Sequence, residues 1–325
     1  MKKVTTKLLA IFGSVAMLGA SGVSGVPGRA MSRPATSLTN DRTRELAADM
    51  KRLLPLARRL SKPKPGEWLY QVTEQGQTFS EYIAANPVIP SKARRTVYIQ
   101  PLGRFASIQR QVVSKVAKFL GLYYGLDVKV LDSLGLSLIP AGARRIHPEW
   151  ENMQLKTGYI LDKLLLPRMP KDAFAYVALT TTDLWPGEEW NYVFGSASPR
   201  HRVGVLSLHR YGNPAAGEKE YRLCLLRTLK TAAHETGHMF SMPHCPSYRC
   251  IMNGSNGISE ADRKPIALCP QCLAKVCWAT RCRPAARYRK LIDFYHANGL
   301  GHQEASCRLA LRALSCNTVA TSPAK

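Results

Sequence analysis

Residues 234–245 read His-Glu-Thr-Gly-His-Met-Phe-Ser-Met-Pro-His-Cys, and the reading of this stretch decides the fold. On a helix, His234 and His238 stand four residues apart on one face, close enough to grip a single zinc through their imidazole nitrogens. His244 supplies a third nitrogen after the helix has ended and the chain has folded back under the metal. Three histidines leave a fourth position open, which a catalytic zinc needs and a structural zinc lacks. Glu235 points at that open position and is placed to take a proton from a water there. The pattern predicts a zinc peptidase centre with Glu235 as general base. Against it stands the reading of two surface histidines and an unrelated third. Met252, eighteen residues past His234, falls where a methionine-bearing turn would floor the metal site, although a lone Met also serves as core filler.

The flanking periodicity agrees. From about Glu218 to Phe240 the residues Leu226, Leu229, Ala233, Gly237 and Phe240 form an apolar stripe at helical spacing, with Arg227, Thr231, His234 and His238 on another face. One face packs into the domain and the other meets a cleft. Four cysteines follow as Cys245-x4-Cys250-x18-Cys269-x2-Cys272. Two closely spaced pairs suit a tetrahedral thiolate site, so a second, structural zinc is expected, making two zinc ions per chain; two disulfides or buried thiols remain the alternatives. Such a site would staple the loop after His244 to the C-terminal segment.

With these residues in view the chain resembles the archaemetzincins, members of the metzincin zinc peptidases. The likeness is carried by His234, Glu235, His238 and His244, then Cys245, Cys250, Met252, Gly254-Ser255-Asn256, Glu260-Ala261-Asp262-Arg263, Cys269 and Cys272. Upstream, Trp190 to Gly195, Val203 to Leu208 and Arg210-Tyr211-Gly212 are also similar to the family. The match is strong over residues 174–290, weaker over 96–173 and absent before. The resemblance implies an α+β, metzincin-type fold: a mixed twisted sheet with backing helices, an active-site helix, and a small C-terminal subdomain stapled by the four-cysteine zinc site. It also implies that Asn191, Tyr192, Val193, Phe194 and Gly195 form a substrate-binding strand at the cleft, and that the activity is peptide hydrolysis, in some members aminopeptidase activity. One departure stands out, because the metzincin pattern has glycine where this chain has Ser241. Glycine turns there with positive φ, which costs another residue about 1–2 kcal/mol, so either Ser241 carries that strain or the turn and His244 are placed differently.

Taken in order, residues 1–22 carry Lys2, Lys3 and Lys7, an apolar run from Leu8 to Ala20, and small residues at Ala20-Ser21-Gly22. This predicts a secretory signal peptide and export to the periplasm or medium, with an uncleaved membrane anchor as the alternative. Residues 23–94 read as an N-terminal leader and helical extension: a flexible part to residue 40, a helix from Asp41 to Leu60 capped by Asn40 and Asp41 and disturbed by Pro55, then a linker over Lys62 to Gly66. The metallopeptidase domain is expected over 95–317, divided into 95–240 and 241–317, with a tail at 318–325. Its elements are a strand Arg95–Leu102, a helix Ser107–Tyr124, a strand Asp127–Leu131, a helix near Met153–Leu166, a strand Ala173–Thr180, a loop from Thr180 to Gly187, a short strand Trp190–Gly195, a buried strand at Val203–Leu208 and a closing helix near Ala285–Tyr295.

Nine cysteines fit an exported chain. Beyond the four in the cluster, Cys224 reads as a buried free thiol, and Cys277 with Cys282 and Cys307 with Cys316 as candidate bridges. The formal charge is +24, or +21 once Lys2, Lys3 and Lys7 are subtracted. Such an excess steers weakly toward anionic surfaces. The basic residues are dispersed and lack interleaved aromatics, so no specific nucleic-acid partner is expected; the partner is a peptide or protein substrate and the chain a monomer. A catalytically silent zinc protein, or a basic module binding the cell envelope or nucleic acid, is the rival reading.

Overall fold

A computed structural model describes residues 35–188 and 190–315. The signal segment 1–22, most of the leader, the tail 318–325 and Cys316 lie outside the described residues.

The centre is a five-stranded mixed sheet in the order β2-β1-β5-β8-β7. Its strands are β1 (Thr96–Leu102), β2 (Asp127–Val130), β5 (Ala173–Thr180), β7 (Gly195–Ser198) and β8 (Val203–Ser207). The first four in this order pair in parallel, while β7 runs antiparallel to β8 and forms one edge. A second sheet, β3-β4-β6, joins Arg144–Ile146, Met153–Lys156 and Asp183–Trp185. Side chains alternate along β1, so Val97 and Ile99 enter one core while Tyr98 and Leu102 enter another. The central sheet is thus covered on both faces, as its parallel strands require.

Ten helices are described: α1 (Ala35–Leu53), α2 (Trp68–Gln71), α3 (Phe79–Ala84), α4 (Ser107–Tyr124), α5 (Thr157–Tyr159, continued by wider turns to Leu165), α6 (Glu218–His238), α7 (Ile258–Arg263), α8 (Pro270–Thr280), α9 (Pro284–His296) and α10 (Gly301–Ser315). The expected helix and strand at Ser107–Tyr124 and Ala173–Thr180 appear with those bounds. Gly125 ends α4 in the left-handed conformation, its N–H returning to the Gly121 carbonyl. The core between α4, α6 and α9 is aromatic: Phe119 is fully buried, with ring centroids 4.9 Å from Tyr123, 5.5 Å from Phe294 and 6.2 Å from Tyr295. Tyr124 donates its hydroxyl to the Ala233 carbonyl of α6 and stacks on Phe240 at 4.9 Å, which fixes the active-site helix against α4.

Several expected elements differ. The helix expected from Asp41 is already running at Ala35, so Asn40 and Asp41 lie inside it; burial of Leu46 and Leu53 outweighs their preference for a cap. Met153–Lys156 is a strand, because its backbone pairs with β3 on one side and β6 on the other and Gln154 donates to the buried Asp183 carboxylate at 2.7 Å. The helical turns begin only at Thr157. Asp183–Trp185, expected as loop, completes that sheet. Residues 190–194 form no strand: Arg145 and Gln154 both donate to the Asn191 carbonyl, so the edge strand starts at Gly195. Helices α8 and α10 were outside the expectation. Cys224 is a buried free thiol. Cys277 and Cys282 are also free thiols, with sulfurs 3.0 Å apart.

Because the fully buried Phe119 packs α4 against α9, Phe119→Ala is expected to destabilise the fold by about 3–5 kcal/mol in chemical denaturation.

Candidate metal centre and cleft

Helix α6 delivers His234, Glu235 and His238 from its last turns, and tight backbone bonds from Met239 to Thr236, Phe240 to Gly237 and Ser241 to His238 close it off. Ser241 then adopts φ of 60°, the left-handed turn that favours glycine. Its hydroxyl oxygen accepts the Val88 N–H at 3.0 Å, a bond that glycine could not make. The strain is thereby offset, and His244 arrives opposite the helix, its ring centroid 5.1 Å from His234 and 5.0 Å from His238.

Each imidazole is oriented through Nδ1. His234 donates to the Ile251 carbonyl and His238 to the Met242 carbonyl, both at 2.8 Å, and His244 donates to Glu74 Oε1 at 2.6 Å. With Nδ1 protonated, the neutral rings present lone pairs at Nε2, and those of His234 and His238 lie 3.1 Å apart. Facing lone pairs repel, so this geometry fits a shared cation, and one nitrogen from each of the three rings lies within 4.8 Å of the others. Burial, with the neighbouring Lys264, His238 and His244 charges adding to it, holds His234 well below the ordinary imidazole range. Burial and His244 push His238 down to about 3. Neutral rings are the form that binds a metal.

Glu235 is 6% exposed, and burial pushes its carboxyl up to about 8 with Lys264 acting against the rise. Its carboxylate lies against the edge strand: a methyl at Gly195 would come within 2.6 Å of Oε1. Beneath the helix Met252 is fully buried, and a side chain at Gly237 would meet its sulfur. Met252 thus packs directly beneath α6 at Gly237. The next residue, Asn253, was missed in the sequence; it accepts the Cys250 N–H and donates to the Tyr248 carbonyl at 2.8 Å each, tying the loop below.

Cys245, Cys250, Cys269 and Cys272 are free, buried and converge within 4.8 Å. The Cys245 and Cys269 sulfurs are 3.8 Å apart, the edge of a tetrahedron with zinc–sulfur bonds of about 2.3 Å. Bonds from the other three thiols hold Cys245 far below the ordinary thiol range, whereas burial holds Cys250 above it. Four thiols so placed suit one cation better than two disulfides.

A cavity of about 1020 Å³ runs along these residues. Tyr192, Val193, Phe194 and Gly195 line it; Asn191 does not, since its carbonyl is held by Arg145 and Gln154. Tyr192 is set by Arg210, whose guanidinium sits 3.6 Å from its ring centroid. The N-terminal extension forms an unexpected wall. Trp68 stands edge-on to His244 at 5.3 Å and 6.5 Å from Trp190, and its indole N–H donates to the same Glu74 Oε1 that holds His244. Neither Trp68 nor Glu74 falls in a periodic stretch, so the sequence held no signal for either. Lys230 and Lys264 also line the cavity, and burial pushes each down to about 8.

A three-imidazole centre beside a buried carboxylate, on a helix flanked by an edge strand, defines a zinc metallopeptidase. The model of Peptidase family M54 matches residues 94–277. Archaemetzincin-2 of Pongo abelii is 33% identical over 260 residues, covering 70% of this chain and 71% of that protein. Archaemetzincin of Thermococcus kodakarensis is 36% identical over 190 residues, 56% of this chain and 95% of its own. The solved archaemetzincin of Archaeoglobus fulgidus complexed with malonate is 28% identical, with TM-score 0.43, over 55% of this chain and 99% of that one. The chain belongs to Peptidase family M54, the archaemetzincins, and is a zinc-dependent hydrolase of peptide bonds.

Two outcomes follow from the site. Ser241→Ala keeps the positive φ and loses the acceptor for Val88, so it should destabilise by about 1–2 kcal/mol, while Ser241→Gly trades strain for the lost bond and should stay within about 1 kcal/mol of the parent in denaturant titrations. The depressed imidazoles set a pH dependence: below their ordinary value of 6.5 the unfolded chain takes up protons that folded His238 refuses until about 3. The metal-free protein should therefore lose stability as pH falls through that window, read as a falling denaturation midpoint after chelation.

Proposed function

We propose that peptide bonds are hydrolysed in this cleft with Glu235 as general base and that the chain holds two zinc ions. His234, His238 and His244 hold one, and Cys245, Cys250, Cys269 and Cys272 hold the other. The observation that carries the reading is the buried Glu235 carboxylate beside three imidazoles whose Nδ1 atoms are all engaged. A zinc ion held by His234, His238 and His244 would supply polarisation of the scissile carbonyl and a water of pKa about 7. Glu235 takes the proton as that water attacks and returns it to the leaving amine, and its burial keeps it basic enough for both transfers. Extended peptide pairs along the free edge of β7, where Gly195 gives room beside Glu235.

Aminopeptidase action is the finer reading. Trp68 and residues 72–77 line the cleft where Trp68 meets His244, which favours a short segment before the scissile bond. Export, guided by the basic start and the apolar run Leu8 to Ala20, accompanies this reading, with membrane anchoring by the same segment as its variant. The working unit is taken as a monomer whose dispersed charge gives only weak attraction to anionic surfaces.

The test joins metal content to turnover. Elemental analysis should find about two zinc equivalents in the parent, about one in His244→Ala, and the parental content in Glu235→Gln, with peptide hydrolysis by Glu235→Gln lowered at least about 100-fold. Full activity in zinc-loaded Glu235→Gln would remove Glu235 from the chemistry.

A further inference from the structure

The wall of the cleft upstream of His234 carries two lysines that the mechanism does not use. Lys230, one turn before His234 on α6, is 7% exposed; its ammonium donates to the carbonyls of Ala261 at 3.2 Å and Asp262 at 2.9 Å. Lys264, just past α7, donates to the Asn253 carbonyl at 2.8 Å. Among the described residues neither ammonium has a carboxylate within 4.0 Å. The nearby Asp262 carboxylate is taken, since Arg227 grips both of its oxygens, Nε at 3.0 Å and Nη2 at 2.6 Å. Both lysines border the same cavity as Glu235.

An ammonium has three donors. Lys230 spends two and Lys264 one, so three remain between them. Burying two cations with no carboxylate in ion-pair contact is costly, and Lys230 depresses Lys264 further. An anion entering this end of the cavity would relieve both. Of the other acids that border the cavity, Glu74 is taken by His244 and Trp68, and Glu235 makes no ion pair with either ammonium within 4.0 Å. Because Glu235 returns a proton to the new amine, the leaving fragment lies on its side of the centre, in the cavity that Lys264 also borders.

We infer that the wall between α6 and α7 is a carboxylate subsite, in which Lys230 and Lys264 bind an acidic side chain or the terminal carboxylate of the leaving fragment. The step from subsite to fragment rests on the proposed role of Glu235. The two lysines are specificity residues: they select which peptides dwell in the cleft and take no part in bond cleavage. A carboxylate here completes the hydrogen bonds of both ammoniums, whereas an isosteric amide presents its own donors to them and leaves the charges unmatched.

Three short product-like peptides separate the possibilities when titrated calorimetrically into the zinc-loaded full chain: Glu-Ala amide, Ala-Ala with a free carboxylate, and Gln-Ala amide. The subsite predicts that at least one of the two acids binds about tenfold more tightly than Gln-Ala amide. Tighter Glu-Ala amide assigns the subsite to an acidic side chain; tighter Ala-Ala assigns it to the chain terminus. Lys230→Gln and Lys264→Gln should each remove most of that preference while keeping the parental zinc content. Equal binding of all three by the parent chain overturns the inference without any variant having to fold, and so does a preference that survives in both folded variants. Selective binding without turnover of any peptide would remove the hydrolytic role of Glu235 and leave the subsite standing; turnover without selectivity would do the reverse.

Discussion

Three imidazole Nδ1–H groups, each held by an oxygen acceptor, form the constraint on which the rest of the site depends. A histidine ring is free to rotate about χ2 unless something fixes one of its nitrogens. Here the acceptors are the Ile251 carbonyl, the Met242 carbonyl and the Glu74 carboxylate, and they come from three separate segments of the chain. Each segment must be in register before the three Nε2 atoms converge. The loop bearing Ile251 is set by the Asn253 bonds and by the pairing of Ile251 N–H with the Ala267 carbonyl. The turn bearing Met242 depends on the left-handed Ser241. Glu74 depends on a stretch of chain that precedes the central sheet altogether.

That N-terminal stretch behaves as part of the site. Val88 offsets the strain at Ser241, Tyr82 donates its hydroxyl to the Phe240 carbonyl at 2.8 Å, and Glu74 bridges Trp68 to His244. Three contacts thus fall on residues 240–244, the part of the motif where this chain departs from the metzincin glycine. Glu74 aims the His244 ring by accepting its Nδ1–H, fixing which nitrogen faces the other two imidazoles. A substitution that would be costly in isolation is accommodated because another segment supplies the missing stabilisation.

What the sequence disclosed follows the range of each interaction. The His234, Glu235, His238 and His244 spacing, the four cysteines and the periodic elements at 107–124 and 173–180 were legible because local geometry alone relates their members. Residues 153–156 and 183–185 were misread because pairing with distant strands, which leaves no mark on a short stretch, decides their conformation. Asn191 was assigned to a strand at the cleft, yet side chains from β3 and β4 claim its carbonyl. Glu74 and Trp68 could not have been found: they lie outside the family-matched span, and their partners are up to 192 residues away. Lys230 was hidden by appearing as an ordinary polar residue on a helix, and only the enclosure by α7 gives it a buried ammonium.

The two candidate metal clusters share a peptide bond, since His244 and Cys245 are consecutive. Cys245 is further fixed by its N–H to the Met252 carbonyl at 2.8 Å, and its sulfur joins Cys250, Cys269 just before α8 and Cys272 in its first turn. The backbone that positions the third imidazole is therefore anchored from both sides, by Ser241 and Glu74 before it and by the thiol cluster after it. Clustering four thiols, one of them drawn toward the thiolate, is unfavourable until a cation compensates. Under the proposed two-zinc reading, metal binding at the cysteines would order residues 245–272 and place His244 in one step. On that reading the third imidazole sits on a loop that has no regular secondary structure of its own, and loss of metal at the cysteines would reach His244 through the backbone.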